Sequence, residues 1–307
     1  MQGAEDGTAR LWDAVTGAEL AVLRGNRESV LCAVFDPSGT RVLTASYDGT
    51  ARLWDAATGA ERAVLAGHEG LLLSAVFDSN GARVLTASHD DTARLWDATS
   101  GTELAVFAVQ RDLFGRSTRL AVFDPSGSCV LTASNDGTVR LWDAATGAEI
   151  ALLCGHEKMV WSAVFDPSGA RVLTASDDRT ARLWNAASGA EIAVLRGHKS
   201  TVQSAVFDPS GARVVTASMD GAAWLWDAGT GAEIAVLRGH KSTVASAVFD
   251  PSGTRVLTAS ADRTARIWRV FPTVAALADY ARTIMPRALT AEQRKQFFAP
   301  AAVHAAC

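Results

Sequence analysis

Short apolar runs alternate with turn-forming residues along most of this chain, and the segment from residue 197 to 237 shows the pattern most clearly. Its four runs cover Val202 to Phe207, Arg213 to Ser218, Ala222 to Trp226 and Glu233 to Leu237. Runs of five or six such residues, rich in Val, Phe and Thr and bounded by Gly, Pro and Asp, are typical of β-strands. The segment therefore predicts four consecutive strands, which we name a, b, c and d.

The connections between these strands are short turns. Asp208-Pro-Ser-Gly separates a from b, Asp220-Gly separates b from c, and Gly229-Thr-Gly separates c from d. Proline presets its own φ and glycine accepts positive φ, so these residues suit tight turns. Parallel strands would need connections of a dozen or more residues. The four strands are therefore predicted to form an antiparallel meander.

Tryptophans mark a repeat of this four-strand unit. They recur every 42 residues, with one interval of 46, and each is followed by Asp, Asn or Arg: Trp12, Trp54, Trp96, Trp142, Trp184, Trp226 and Trp268. One such sheet cannot cover both of its apolar faces, whereas sheets stacked radially cover one another and leave only short edges. The period therefore predicts a ring of stacked sheets, or blades.

Each repeat resembles the WD40 family. In one repeat the resemblance is carried by Gly-His198, Ser218-x-Asp220 and Trp226-Asp, and it extends over residues 5 to 269. It implies an all-β WD40 β-propeller of six to seven four-stranded antiparallel blades, with an incomplete first blade, over residues 1–270. Residues 271–307 are expected to follow as a short C-terminal helical tail.

The same resemblance implies a hydrogen-bonded tetrad of His, a strand-b Ser or Thr, the turn Asp and Trp in each blade. We assign four complete tetrads: His68, Ser88, Asp90, Trp96; His156, Ser176, Asp178, Trp184; His198, Ser218, Asp220, Trp226; and His240, Ser260, Asp262, Trp268. A His, Ser and Asp set can also belong to a hydrolase, but this set recurs in blade after blade and includes an indole donor. The tetrads are therefore interpreted as structural, and we expect neither catalytic residues nor enzymatic activity.

Two blades depart from this pattern at the Gly-His position. One reads Gly-Asn26, and the other reads Leu-Phe114 after a four-residue insertion around residues 108–111. Asn26 can still donate and accept hydrogen bonds, whereas Phe114 cannot. The sheet from Arg119 to Leu153 is therefore predicted to be the weakest of the complete blades.

The repeats at the two ends are incomplete. The first begins near residue 4, at the b–c turn, and supplies only strands c and d, while the last supplies a, b and c from Val244 to Trp268. Two ring arrangements remain open. Either seven blade positions exist with an imperfect seam, or Leu20 to Leu23 completes the last blade as its outer strand and six blades close, which removes exposed edges.

Beyond the last repeat the apolar spacing becomes a helical stripe: Val274, Leu277, Ala278, Ala281 and Ile284. Pro286 ends this predicted helix, and residues 290–293 have capping-box spacing ahead of a second short one. The tail is expected to pack on the propeller. It also resembles the C-terminal ends of bacterial multidomain WD40 proteins that carry an upstream signalling NTPase or caspase-like effector domain, which leaves a remnant of such a longer protein as one alternative.

Charge and composition exclude several classes of partner. The net charge is −4, with 29 basic and 33 acidic residues spread evenly, so no basic patch is available to neutralise a phosphate backbone. Neither a signal peptide nor a run of 18 apolar residues is present. The four cysteines lack metal-ligand or redox spacing. We therefore expect no nucleic acid, membrane, metal or cofactor, and a cytoplasmic location.

The repeats are nearly identical, so the positions at which they differ are informative. Most variable are the residue before the turn Asp and two positions at the start of strand a, and both segments are expected at one end of each sheet, beside the central channel. We name this set the varied face: Ser29, Leu31, Tyr47, Leu71, Leu73, His89, Ser117, Arg119, Asn135, Met159, Trp161, Asp177, Thr201, Gln203 and Met219. Its aromatic and large apolar members are typical of binding hot spots, so it is predicted to bind a protein or peptide.

A small-molecule or enzymatic propeller is the alternative from a different class. It would place a pocket in the channel mouth with His89, Asp177 and Arg119, but no metal-ligand spacing, phosphate-binding glycine loop or nucleophile elbow accompanies these residues. The sequence therefore favours a protein-interaction scaffold, or the sensor half of a signalling protein, over a chemical activity.

Overall fold

Each repeat forms one antiparallel sheet in the computed structural model, which describes residues 2–3, 5–108 and 118–271 together with Ala276, Asp279, Tyr280, Arg282 and Thr283. The strands are β1 (Gln2–Gly3), β2 (Thr8–Trp12), β3 (Glu19–Arg24), β4 (Val30–Phe35), β5 (Arg41–Ser46), β6 (Ala51–Asp55), β7 (Glu61–Leu65), β8 (Leu72–Phe77), β9 (Arg83–Ser88), β10 (Thr92–Asp97), β11 (Glu103–Ala108), β12 (Thr118–Phe123), β13 (Cys129–Ser134), β14 (Val139–Asp143), β15 (Glu149–Leu153), β16 (Val160–Phe165), β17 (Arg171–Ser176), β18 (Ala181–Asn185), β19 (Glu191–Leu195), β20 (Val202–Phe207), β21 (Arg213–Ser218), β22 (Ala222–Asp227), β23 (Glu233–Arg238), β24 (Val244–Phe249), β25 (Arg255–Ser260) and β26 (Ala265–Arg269). The predicted meander is confirmed in every complete blade.

Seven sheets result, and they follow chain order. Blade 1 consists of β1–β3, blade 2 of β4–β7, blade 3 of β8–β11, blade 4 of β12–β15, blade 5 of β16–β19, blade 6 of β20–β23 and blade 7 of β24–β26. Blades 2 to 6 are four-stranded, and the two end blades are three-stranded.

Blade 1 corrects two expectations about the end of the array. The two-residue β1 supplies a short strand b that the sequence did not reveal, and it pairs with β2. Of the two ring arrangements left open, the one in which Leu20 to Leu23 completes the last blade is not formed, because β3 pairs with β2, from Thr8 opposite Arg24 to Trp12 opposite Glu19. A short hairpin loses little chain entropy on closure, which favours this local pairing over one with the distant last blade.

The apolar core lies between neighbouring blades. Leu43 and Leu53 of blade 2 pack against Val84 and Trp96 of blade 3, and the equivalent residues pair at every interface from blade 1 to blade 6. Side chains alternate between the two faces of a strand, so each blade has a leucine face toward the next blade and a tryptophan face toward the preceding one. This division explains why both faces of each sheet are apolar.

Among the described residues, the outer faces of blades 1 and 7 are not covered by another blade. Trp12 on the tryptophan face of blade 1 is 48% exposed, whereas Trp54 of blade 2 is 1% exposed. On the leucine face of blade 7, Leu257 and Ile267 are 44% and 68% exposed, whereas Leu225 of blade 6 is 2% exposed. Blade 1 and blade 7 therefore each present one apolar face to solvent.

An arginine at the start of strand b fastens one blade to the next, and we name this contact the arginine clamp. Arg171 Nε lies 3.0 Å from Oδ2 of the buried Asp166 in its own blade, and the guanidinium donates to the Gly211 carbonyl of the next blade at 2.5 Å. The guanidinium also lies over the Phe207 ring, 5.2 Å from its centroid. The same contacts are made by Arg41, Arg83 and Arg213. Blade 4 has Cys129 at this position and forms no clamp.

The chain divides into two compact units, Met1–Trp268 and Arg269–Cys307. In the second unit the described residues from Ala276 to Thr283 are helical, as the apolar stripe predicts. Tyr280 packs on Phe271 with ring centroids 5.2 Å apart. Pro286 and the predicted second helix lie outside the described residues.

Candidate functional site

Backbone hydrogen bonds join the two segments of the varied face. The amide of the residue before the turn Asp donates to a carbonyl just ahead of strand a. The Tyr47 amide donates to the Ser29 carbonyl, and the Asp177 amide donates to the Met159 carbonyl, each at 3.0 Å. The same bond recurs in blades 3, 6 and 7. The predicted proximity of the b–c turn to the start of strand a is therefore confirmed.

The members of the varied face differ in exposure. Four are exposed: Leu31, Leu71, His89 and Met219. Nine are half-buried: Ser29, Tyr47, Leu73, Arg119, Asn135, Met159, Trp161, Asp177 and Gln203. Thr201 is buried, and Ser117 lies outside the described residues. Most members of the varied face are therefore only partly accessible to solvent.

Part of the varied face lines a cavity of about 300 Å³ to which blades 2, 3, 4 and 5 contribute. Its lining residues are Leu31, Tyr47, Leu73, Ser74, Arg119, Leu120 and Trp161. Sequence reasoning missed two of them, Ser74 and Leu120. Leu120 carried a signal, because the other complete blades have Ser or Cys at the same place in strand a.

Arg119 and Trp161 form the polar part of this cavity. The Arg119 guanidinium lies over the indole of Trp161, 4.0 Å from the ring centroid, in cation–π geometry. Burial lowers the pKa of the Arg119 guanidinium from its ordinary value, and the neighbouring Tyr47 opposes that shift. The cavity thus combines one desolvated positive charge with aromatic and aliphatic walls.

The residues of the enzymatic alternative do not line this cavity together. Of His89, Asp177 and Arg119, only Arg119 lies in the lining. Asp177 instead accepts a hydrogen bond from the Thr201 hydroxyl at 2.5 Å, and His89 is exposed. The structure therefore places one of the three proposed residues, Arg119, in this cavity.

The tetrads form around a threonine of strand b. In blade 5, His156 Nε2 lies 2.7 Å from Thr174 Oγ1, Trp184 Nε1 donates to the same oxygen at 2.9 Å, and His156 Nδ1 lies 2.8 Å from Asp178 Oδ2. The equivalent threonine bonds occur in blades 3, 6 and 7. One hydroxyl per blade therefore connects the indole to the imidazole.

The assignment of serines to the tetrads is wrong, and this applies to Ser88, Ser176, Ser218 and Ser260. The residues at the centre are Thr86, Thr174, Thr216 and Thr258. Each serine lies two residues further along strand b, a displacement of roughly 7 Å, at the strand end next to the turn. There Ser176 accepts from the Asp178 amide at 3.1 Å and donates to the Lys158 carbonyl at 3.0 Å.

The carboxylate sets the direction of hydrogen bonding through the tetrad. An ionised carboxylate only accepts, so His156 Nδ1 carries the proton, and Nε2 accepts from the Thr174 hydroxyl. Thr174 then accepts from the Trp184 indole. Burial opposes ionisation of Asp178, but hydrogen bonds from His156 and Thr180 outweigh it and lower the pKa of this carboxyl. Every donor has an acceptor, which supports the structural interpretation of these residues.

Blade 6 differs from this arrangement although its sequence carries His, Asp and Trp. Ala222 replaces the threonine that follows the turn in blades 3, 5 and 7, and Trp224 stacks on Trp226 with ring centroids 5.5 Å apart. His198 Nδ1 is buried without a hydrogen-bond partner among the described residues. Burial lowers the pKa of His198 to about 4, against the attraction of Asp220. The hydrogen bond expected between His198 and Asp220 is therefore not formed in this tetrad.

A second cavity, of about 420 Å³, lies among the a–b turns of blades 4 to 7. Its walls include Phe165, Phe207, Phe249, Pro167, Pro209 and Pro251. Sequence reasoning did not select these residues, because Phe-Asp-Pro recurs in most repeats and was interpreted as a turn. This cavity is apolar and carries little variation from blade to blade.

Within the part of the chain that the structure describes, no group of three or more His, Cys, Asp or Glu side chains could hold a metal ion. The same residues include no helix with the length and apolarity needed to cross a bilayer.

Stacked antiparallel sheets, most of them four-stranded, with a recurring buried network around a strand-b threonine and with variable side chains at one end, define a repeat β-propeller. A family model described as WD domain, G-beta repeat matches residues 17–55, 59–97, 115–143, 147–185, 189–227 and 231–269. These six matches cover well over half of the chain, and the protein belongs to the WD40 family. A comparison with curated proteins found no significant match.

Proposed function

We propose that this protein is an interaction module that binds a peptide or protein segment on the varied face. WD40 repeats generally serve as protein-interaction scaffolds, and the propeller is typically non-enzymatic. The observation that carries the proposal is the cavity, which is lined by varied positions of four consecutive blades on a scaffold that is otherwise nearly constant. Rigid repeats that present different side chains along one surface are suited to recognising extended partners.

The exposed and half-buried side chains around the cavity support the same proposal. Leu31 and Leu71 are exposed, and Tyr47, Leu73 and Trp161 are half-buried. Aromatic and aliphatic side chains beside a recess supply the anchor positions at which binding energy concentrates. We place this activity in the cytoplasm, a setting with which the free thiols of the described cysteines are compatible.

Selection of peptides from a random display library on the purified protein tests the proposal. Leu31→Ala and Leu73→Ala should each lower the affinity for the selected peptides by about 10-fold or more, since each substitution removes an anchor from the cavity wall. Leu104→Ala is the matched control for Leu31→Ala, because Leu104 is 52% exposed against 43% for Leu31 but lies on the outer strand of blade 3. Its peptide affinity should equal that of the unmodified protein.

Thermal unfolding separates loss of binding from loss of folding, and all three variants should melt close to the unmodified protein. Peptides that bind both cavity variants with full affinity would overturn the proposal, as would a selection that yields no binder.

A further inference from the structure

We propose that Arg119 and Trp161 form a carboxylate-binding site in the cavity of the varied face. This inference rests on the proposed function and names its chemistry: the bound peptide places an acidic group, from its C-terminus or from a Glu or Asp side chain, on the Arg119 guanidinium. The apolar stem that carries the acid group then packs on the leucines of the wall.

Arg119 is distinguished from the other half-buried arginines by its lack of an anionic partner among the described residues. The arginines of the clamps pair with buried aspartates, as Arg171 does with Asp166. Those of strand c pair with strand-d glutamates, as Arg182 does with Glu191 at 2.6 Å. The Arg119 guanidinium instead lies over the Trp161 ring. A desolvated guanidinium without a counter-charge is costly, and a carboxylate that reaches it gains two parallel hydrogen bonds.

The indole of Trp161 supplies a second donor. The blade tryptophans donate Nε1–H to a threonine, as Trp184 does to Thr174. Trp161 Nε1 is buried and has no hydrogen-bond partner within the described residues. A buried donor without an acceptor costs about 1–3 kcal/mol, so an incoming acceptor is favoured.

The remaining lining specifies the rest of the ligand. It includes no acidic side chain that would repel an anion, and Leu31, Leu73 and Leu120 form its aliphatic wall. A volume of about 300 Å³ has room for one amino-acid side chain or chain terminus. A single arginine matches one negative charge, which a carboxylate carries and which a guanidinium binds in bidentate geometry.

Four small probes test the site directly. N-acetyl-phenylalanine presents a terminal carboxylate, and N-acetyl-glutamate α-amide presents a side-chain carboxylate, while N-acetyl-phenylalanine amide and N-acetyl-glutamine α-amide are their uncharged counterparts. Binding is followed by the indole N–H resonance of Trp161 in NMR spectra, assigned with Trp161→Phe. One or both acids should shift this resonance with an affinity about 10-fold or more above the matching amide.

Arg119→Gln should abolish the preference for the acid. Arg238→Gln is the matched control, because the Arg238 guanidinium also lies over an indole, that of Trp224, 5.6 Å from the ring centroid, but on the outer strand of blade 6 and outside the cavity lining, and it should retain the full preference. The acid that binds more tightly identifies the source of the carboxylate. Equal shifts by acids and amides, or an acid preference that survives in Arg119→Gln, would overturn the site.

The outcomes distinguish this inference from the function on which it rests. Selected peptides that depend on Leu31 and Leu73 but bind Arg119→Gln with unchanged affinity would leave the peptide-binding function intact and refute the carboxylate site. Acid probes that bind while no peptide is selected would refute the peptide function and leave a carboxylate site.

Discussion

At the scale of single residues, one strand-b threonine in each of blades 3, 5, 6 and 7 joins the indole of the blade to its imidazole. Thr174 accepts from Trp184 and donates to His156, whose other nitrogen donates to the ionised Asp178. All of these side chains are largely buried. Hydrogen bonds made away from water matter chiefly because a broken one leaves a polar group with no partner.

Thr174→Val keeps the shape of the side chain and removes its hydroxyl. The buried Trp184 Nε1–H and His156 Nε2 then lose their hydrogen-bond partner, so we expect the protein to be destabilised by about 2–4 kcal/mol. Urea unfolding measures this loss. Thr174→Ser retains the hydroxyl and should cost much less. Equal effects of the two substitutions would show that the hydroxyl network contributes no more to stability than the packing of the methyl group.

Stability should also depend on pH through His198. Its pKa in the folded protein is lowered to about 4 by burial, below the ordinary value of 6.5. Between these values the unfolded chain binds a proton that the folded protein does not, so stability falls as pH decreases from 6.5 to 4, by up to about 3 kcal/mol. His198→Asn, the residue found naturally at position 26, removes this titration and should flatten the stability profile in that window.

Carboxylates continue the acid destabilisation at lower pH. Burial opposes the ionisation of Asp90, but hydrogen bonds from Thr92, the Glu69 amide and His68 lower its pKa to about 2. The stability that this carboxylate contributes is present above pH 3.8 and is lost as pH falls toward 2.

A His198→Asn profile as steep as that of the unmodified protein between pH 6.5 and 4 would contradict the assignment to His198.

At the scale of elements, the blades are not equally secured. The clamp arginines join blade 2 to 3, 3 to 4, 5 to 6 and 6 to 7, as Arg171 shows by reaching Gly211. Blade 4 has Cys129 instead, and the buried Asp124 of the same turn is left with hydrogen bonds from Ser126 and the Cys129 amide. This adds an observed reason to the sequence-based prediction that blade 4 is the weakest complete blade.

Cys129→Arg should rebuild the clamp between blades 4 and 5, on Asp124 and the Gly169 carbonyl, and stabilise the protein by about 1 kcal/mol. Amide hydrogen exchange in blade 4 should be faster than in the other complete blades and should slow in this variant. Arg171→Cys is the matched reverse change and should speed exchange in blades 5 and 6. Blade 4 amides that exchange most slowly of all would refute the ranking.

At the scale of the whole molecule, the two uncovered end faces are the two halves of the interface that recurs inside the array. The leucine face of blade 7 carries Leu257 and Ile267, and the tryptophan face of blade 1 carries Trp12. Complementary exposed faces on the first and last blades favour head-to-tail association between molecules, because pairing them buries two apolar patches.

The protein should therefore self-associate as its concentration rises, and Ile267→Glu should reduce this by placing a charge in the contact. Sedimentation velocity over a range of concentrations measures the effect. Leu104→Glu adds the same charge to an exposed leucine on an outer strand, away from the end faces, and should leave association unchanged. A protein that sediments as a monomer at every concentration would show that the end faces do not pair.

Local sequence determined the elements of this protein. Strand length, turn chemistry and the tryptophan period each act over a few residues, so the meander, the number of tryptophan-bearing units and the region of the varied face were all predictable from pattern alone. The ends were less predictable, because β1 is only two residues long and carries no period.

Tertiary structure alone decided which side chains meet. The choice of Thr174 over Ser176, the pairing of β3 with β2 and the stacking of Arg119 on Trp161 depend on distances between segments that are far apart in sequence or on exact positions along a strand. Periodicity places a residue on a face of a strand, but it does not give the distances between side chains of different blades. For that reason the sequence indicated where a partner would bind, and only the folded arrangement of blades 2 to 5 revealed a cavity in which the Arg119 guanidinium has no anionic partner among the described residues.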